Sequence, residues 1–240
     1  AARAILEARN NGLPIYGETC PQYLFLTAED LDKNGMEGAK YCCSPPPRDK
    51  ESQEAIWLGL KNGTFQVFSS DHAPYRYDES GKFHSGANPT FKKIANGVPG
   101  IETRLPLLFS EGVLKGRITM NEFVALTSTN ASKIYGLYPR KGSLAIGSDA
   151  DITIWDPKWE RTINQNMLHD NMDYTPYEGI EVTGWPRTVI IRGRIAVEDE
   201  TLKLDRGAGE FLKRTPAHPR LEPLSSSPLS PSKNFGANLL

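Results

Sequence analysis

Apolar and polar positions along the chain alternate in a way that changes twice. Residues 1–9 have a helical composition closed by Asn10-Asn11-Gly12, a glycine C-cap signal, and residues 13–18 read as a short buried strand running on into Thr19-Cys20-Pro21-Gln22-Tyr23-Leu24. Asp49 predicts the N-cap of a helix through Leu60, with Ile56 and Leu60 one turn apart, and Asn62-Gly63 ends it. A β-prone run over 64–71 follows. Helix then strand, twice, is the rhythm of an α/β domain.

Residues 72–96 are polar and carry no clear period, and loops of that length are usually functional or disordered. Regularity resumes with a helix expected over 101–111, interrupted by Pro106, and with Thr119-Met120-Asn121-Glu122, a capping box opening a helix over 119–126. Asn130 is read as the cap of one more short helix ending at Gly136. Beyond that glycine the pattern turns to β: residues 152–155, then 188–197 around an Arg192-Gly193 turn. The division expected is 1–135 as an α/β part, 136–209 as a β part and 210–240 as a tail, flexible or packed on a partner. The β strands are too few to cover both faces of a sandwich, so segments outside the chain are expected to pair with them. The chain opens inside a helical stretch with neither a methionine nor an N-cap. It is therefore read as the C-terminal portion of something longer.

Composition narrows the classes. A hydrophobic share of 38% supports a real core, while a formal net charge of −1 excludes the basic footprint that nucleic acid or an anionic membrane asks for. Neither a membrane-length apolar run nor a signal-like N-terminus is present, so the cytoplasm is the default compartment. Three cysteines, Cys20 with the adjacent Cys42 and Cys43, make no disulfide framework or metal pair and are read as core thiols.

The candidate chemistry starts at Asp71, which the β-prone run carries to its C-terminal tip before His72-Ala73-Pro74. Strand tips of an α/β barrel hold catalytic side chains rigid under enclosing loops; the same residue is also what a polar strand terminator looks like. Ser44-Pro45-Pro46-Pro47-Arg48 is a stiff extended loop, able to hold main-chain groups against a ligand or merely to turn. Asn96-Gly97 reads either as a second such element or as a left-handed turn. His72 reads either as a proton shuttle or as a residue packed beside the ligand, the second being preferred and no catalytic role assigned, and Glu18 is read as a buried strand-end carboxylate.

Taken in order, Glu18-Thr19-Cys20-Pro21-Gln22-Tyr23-Leu24, Ser44-Pro45-Pro46-Pro47-Arg48, Ser70-Asp71-His72-Ala73-Pro74, Asn96-Gly97-Val98-Pro99-Gly100-Ile101-Glu102 and Gly147-Ser148-Asp149-Ala150-Asp151 resemble the cyclic amidohydrolases, in the dihydropyrimidinase and D-hydantoinase branch. The likeness runs from Ala1 to about Arg214. It implies an α/β fold: the C-terminal part of a (β/α)8 TIM barrel, followed by part of a small β-sandwich. It implies hydrolysis of a cyclic amide C–N bond, opening dihydropyrimidines or 5-substituted hydantoins to N-carbamoyl amino acids, as in pyrimidine catabolism. Two divalent metal ions, zinc in most members, are implied, with Asp71 as both ligand and proton carrier. The remaining ligands, including a carboxylated lysine, are expected upstream of Ala1. Ser44 and Asn96 are implied to bind substrate through main-chain groups. Partners implied are a small cyclic amide and further copies of the chain, as a homotetramer or dimer.

Four histidines, His72, His84, His169 and His218, show neither His-x-His nor an i, i+4 spacing, so a metal site cannot be rebuilt from this chain. Alternatives stay open: allantoinase or dihydroorotase, a non-catalytic structural relative, or an inactive fragment. The intact Asp71 speaks for catalysis, and Ser44-Pro45-Pro46 with Asn96-Gly97 for the hydantoinase branch.

Overall fold

The computed structural model describes residues 1–214, so most of the expected tail lies outside the described residues. Helix α1 (Ala2–Asn10) ends at Asn11, and Gly12 takes the left-handed conformation that the C-cap signal required. Its Arg9 is buried, and the guanidinium donates to the carbonyls of Gly63 (2.7 Å) and Thr64 (3.1 Å) and to Gln66 Oε1 (2.6 Å). That fastens α1 to the segment entering the second strand.

Strand β1 (Glu18–Thr19) is followed by the short helices α2 (Gln22–Phe25) and α3 (Ala28–Leu31), then by the long α4 (Lys50–Lys61) and by β2 (Val67–Phe68). Asp49 caps α4 as expected, its carboxylate accepting from the Ser52 N–H at 2.8 Å, and Gly63 has φ 75° just past the helix end. β1 and β2 pair in parallel, Glu18 opposite Val67 and Thr19 opposite Phe68. A parallel bridge between His72 and Val98 brings a third segment alongside.

Both strands are shorter than the sequence predicts. A strand is defined by its partner, and residues 13–17 lack a ladder neighbour on one side among the described residues; Leu13 and Tyr16 lie exposed. Glu18 is exposed as well, which corrects the reading of a buried carboxylate.

One helical run covers α5 (Arg104–Leu108) and continues as a π helix over Phe109–Leu114. Pro106 does not interrupt it. The helix begins at Arg104, so Pro106 lies in the first turn, where an N–H has no helical acceptor to lose. A second run joins α6 (Met120–Val124), a π segment (Ala125–Thr129) and α7 (Asn130–Ile134), opened by the Thr119–Glu122 capping box. Asn130 is not a cap: Thr129 before it is already helical, and its side-chain N–H donates to the Gln66 carbonyl at 2.7 Å. A buried acceptor near β2 has taken the asparagine that a helix start would have used.

The β part is an antiparallel meander, β3 (Ile152–Thr162), β4 (Glu181–Ile191), β5 (Arg194–Glu198) and β6 (Thr201–Leu202). Arg192 and Gly193 have φ 49° and 76°, the paired left-handed residues of a tight hairpin. The sheet does not stand apart from the helices. Trp155 stacks on Phe109 (ring centroids 4.6 Å), and a Cβ at Gly184, which has φ 92°, would sit 2.3 Å from the Phe109 ring. Leu107 joins Ile163, Tyr177, Val182 and Trp185 in one buried cluster, while Leu108 and Phe109 join Trp57, Leu60 and Phe68 in another. The α5 run is thus the core element on which β2, α4 and the sheet converge.

Candidate active site

Asp71 lies three residues past β2 with φ 45°, a left-handed conformation that costs a non-glycine residue about 1–3 kcal/mol. The strain is held by what surrounds it. The Gln22 side-chain N–H donates to Asp71 Oδ2 at 3.2 Å, from the first residue of α2. Gln22 is 0% exposed, and its Oε1 is buried without a partner. Cys20 Sγ and Ser69 Oγ meet at 3.1 Å, and the Arg104 guanidinium donates to the Phe68 carbonyl, so both flanks of the tip are tied to their neighbours. The result is an exposed carboxylate on a constrained backbone.

His72 points the other way. Its Nδ1 accepts from the Gly100 N–H (3.1 Å) and the Ile101 N–H (3.3 Å), which makes Nδ1 the unprotonated nitrogen and leaves the proton on Nε2. The ring fastens the strand tip to the turn that enters α5. Next to it the Ala73 N–H donates to the Val98 carbonyl at 3.2 Å, and Gly97 (φ 148°) presses on Ala73 so closely that a Cβ would meet the Ala73 Cβ at 2.5 Å. The Asn96-Gly97 motif is therefore seated on the segment that follows Asp71.

Ser44 and Asn96, far apart in sequence, touch: the Asn96 side-chain N–H donates to Ser44 Oγ at 3.3 Å. Cys42 Sγ donates to Asn96 Oδ1 at 3.5 Å, and the Gly97 N–H donates to the Cys42 carbonyl at 3.0 Å. The two loops form one wall of a cavity of about 680 Å³, lined also by Pro46, Phe91 and Ile94. Asp71 is not among its lining residues; it joins the wall only through the backbone contacts of residues 72, 73, 97 and 98. Of the three predicted site residues, two are in contact and the third is one backbone layer away.

Burial pushes the Cys20 thiol up to about 11 and the Cys43 thiol up to about 12, which makes both poor nucleophiles near neutral pH. Cys42 departs from the core reading, being only half-buried beside Asn96. Among the described residues no group of three or more His, Cys, Asp or Glu could hold a metal ion. His84 Nδ1 lies 3.2 Å from the Gly81 carbonyl, His169 Nδ1 lies 2.9 Å from Glu102 Oε1, and His218 lies outside the described residues. The described residues do not make a metal site on their own, and Asp71 is the one position the resemblance assigns to it.

Two site residues escaped the sequence reading. Gln22 stood inside a quoted motif with no role given. Lys82 lies in the polar loop over 72–96, where the sequence singles out no residue. Neither had a signal of its own, because what distinguishes each is burial.

Set against known proteins, the model of the amidohydrolase family matches residues 3–196. The chain belongs to the amidohydrolase family. It is 47% identical over 214 residues to a D-hydantoinase of Geobacillus stearothermophilus, a match covering 89% of this chain and 45% of that protein. A D-phenylhydantoinase of Escherichia coli is 40% identical over 212 residues, covering 88% of the chain and 45% of the relative. Among solved structures, the dihydropyrimidinase of Brevibacillus agri superposes with a TM-score of 0.86 at 47% identity, covering 90% of this chain and 46% of that one. The L-hydantoinase of Arthrobacter aurescens does so with a TM-score of 0.78 at 31% identity, covering 89% and 46%. The chain spans a little under half the length of these amidohydrolases. It shares their mixed α/β fold over nearly all the described residues.

Proposed function

We propose that this chain is part of a metal-dependent hydrolase that opens the ring of hydantoins or dihydropyrimidines at a cyclic amide C–N bond, releasing N-carbamoyl amino acids. The observation that carries the reading is the Asn96–Ser44 contact, which joins the two proline- and glycine-stiffened motif loops into one cavity wall beside the Asp71 tip. Loops already ordered by such contacts pay little entropy when a substrate's amide edge docks on their main-chain groups.

Asp71 is the proton carrier. Water adds to the ring carbonyl carbon, the carboxylate takes the proton released, and the same proton goes to the ring nitrogen as the C–N bond breaks. The Gln22 hydrogen bond holds one carboxylate oxygen in place and leaves the other for this exchange. Two divalent metal ions, zinc in this reading, would supply a more acidic water, with Asp71 as one ligand and the others, a carboxylated lysine among them, in the part of the enzyme that this chain does not cover.

In the same reading residues 1–135 belong to a (β/α)8 barrel and residues 136–209 to a β-sandwich completed by other segments. The complete enzyme is a cytoplasmic homo-oligomer, dimer or tetramer. The test is a ring-opening assay on the complete polypeptide that carries residues 1–240, with hydantoin, dihydrouracil, allantoin and dihydroorotate as substrates. Turnover of the first two is expected. Turnover of allantoin or dihydroorotate alone would move the chain to another cyclic amidohydrolase, and none at all would make it a non-catalytic relative.

A further inference from the structure

Lys82 is 0% exposed, and a lysine in that state has to be paired, because an isolated buried ammonium is among the costliest groups a fold can hold. Among the described residues no carboxylate lies within ion-pair distance of it. Its Nζ donates instead to three main-chain carbonyls: Cys42 at 3.0 Å, Ala95 at 2.8 Å and Gly97 at 2.6 Å. An ammonium has three N–H donors, and all three are used. Two of the acceptors flank Asn96 and the third lies two residues before Ser44.

We propose that Lys82 is a positioning residue for substrate binding, a buried ammonium that ties the Ser44 loop to the Asn96 loop and aims the main-chain groups of Asn96 into the cavity. The proposal rests on the functional reading above. Its geometry comes from the peptide planes. Ala95 C=O and Asn96 N–H belong to one planar trans unit, so a carbonyl turned in toward Lys82 turns the Asn96 N–H outward. Asn96 C=O and Gly97 N–H belong to the next unit, and the Gly97 N–H is committed to the Cys42 carbonyl at 3.0 Å, which turns the Asn96 C=O away from it.

Both main-chain groups of Asn96 are consequently left without a protein partner among the described residues. An unpaired N–H beside an unpaired C=O matches the adjoining C=O and N–H of a cyclic amide edge. Lys82 creates that match without touching the ligand.

The loop that carries the lysine is built to deliver it. Gly81 has no room for a side chain, since a Cβ would lie 2.2 Å from the Arg76 carbonyl, and the Lys82 N–H donates to that same carbonyl at 2.8 Å. Tyr77 and Phe83 close the turn edge-to-face with ring centroids 4.8 Å apart. The ammonium also lies 5.9 Å from the centre of the Tyr75 ring. A segment that leaves the Asp71 tip thus folds back and pins both binding loops from beneath. Burial pushes the Lys82 ammonium down to about 8, and it stays charged at neutral pH.

The experiment compares wild type, Lys82→Met and Lys82→Arg in the complete enzyme, reading KM and kcat for hydantoin alongside hydrogen exchange at the Gly97 amide. Met keeps the stem and removes the donors. Arg keeps charge and donors, but its planar fork cannot meet three carbonyls arranged around an ammonium. Lys82→Met is expected to raise KM by about 10-fold or more with kcat changed less than about 3-fold, to speed Gly97 exchange by about 10-fold or more, and Lys82→Arg to fall between.

Wild-type KM in both variants would overturn the proposal, and so would loss of kcat at unchanged KM, which would put Lys82 in the chemistry. If Lys82→Met does not fold, the KM of Lys82→Arg decides in the same way. If the wild-type enzyme opens no ring, the functional reading fails; Gly97 exchange then still reports whether the tie exists, and unchanged exchange in Lys82→Arg would overturn the tie as well.

Discussion

Replacing Gly97 by alanine tests whether the Asn96 loop really is seated on the Asp71 segment. Gly97 has φ 148°, where an L side chain is strained, and the added Cβ would lie 2.5 Å from the Ala73 Cβ and 2.6 Å from the Ala73 carbonyl oxygen. Restoring ordinary contact asks the two segments to separate by roughly 0.8 Å, against the Ala73-to-Val98 hydrogen bond and the Gly97-to-Cys42 hydrogen bond on either side. Backbone strain of about 1–3 kcal/mol and a comparable overpacking cost give an expected loss of about 2–6 kcal/mol. Urea denaturation of the complete enzyme reads it as a lower midpoint at unchanged m-value, and a rise in KM for hydantoin is expected with it, since the wall that holds Asn96 has moved. Stability within 0.5 kcal/mol of wild type together with an unchanged KM would refute the seating.

Three further outcomes follow from the same geometry. Asn96→Ala is expected to raise KM by only about 3- to 10-fold, because the side chain's contact with Ser44 Oγ stiffens a loop whose proposed binding groups are main-chain; inactivation as complete as that of an Asp71 variant would put the Asn96 side chain in the mechanism. Alkylation of the native enzyme at pH 8, followed by mass spectrometry, is expected to modify Cys42 first and to spare Cys20 and Cys43, whose thiols burial holds up at about 11 and about 12; rapid labelling of Cys43 would contradict the packing around it. Thr119→Ala removes the hydroxyl that accepts from the Glu122 N–H at 3.2 Å and is expected to cost about 1 kcal/mol by urea denaturation with no change in turnover.

What the sequence made legible is whatever depends on neighbours along the chain. The Asp49 cap, the Gly63 and Gly12 helix ends, the Thr119–Glu122 box and the Arg192-Gly193 hairpin are local chemistry, and the structure has each of them. Strand lengths were not legible, because pairing is set by partners: β1 and β2 keep two residues each where longer runs are expected. Asn130 and Pro106 show the same limit, one drawn off by the Gln66 carbonyl and one absorbed by a helix that starts later than the apolar pattern implies. The hairpin between β5 and β6 uses Asp199 and Glu200 in left-handed conformations, with no glycine to announce it.

At the site, Ser44 and Asn96 stand out through ordered motifs and not through spacing, and the contact between their side chains is visible only in the structure. Gln22 and Lys82 were not anticipated, since a polar residue in a polar stretch reveals its burial only in three dimensions.

The most direct test of the account is Asp71→Asn in the complete polypeptide, assayed for hydantoin and dihydrouracil ring opening. Asparagine tolerates the left-handed backbone at φ 45° and can still accept from Gln22, so the fold and the strand tip are kept while the proposed proton carrier is lost. The account predicts a fall in kcat of about 10³-fold or more with thermal stability close to wild type. Turnover near the wild-type rate would contradict it, and would mean that the carboxylate at this strand tip is not where the ring is opened.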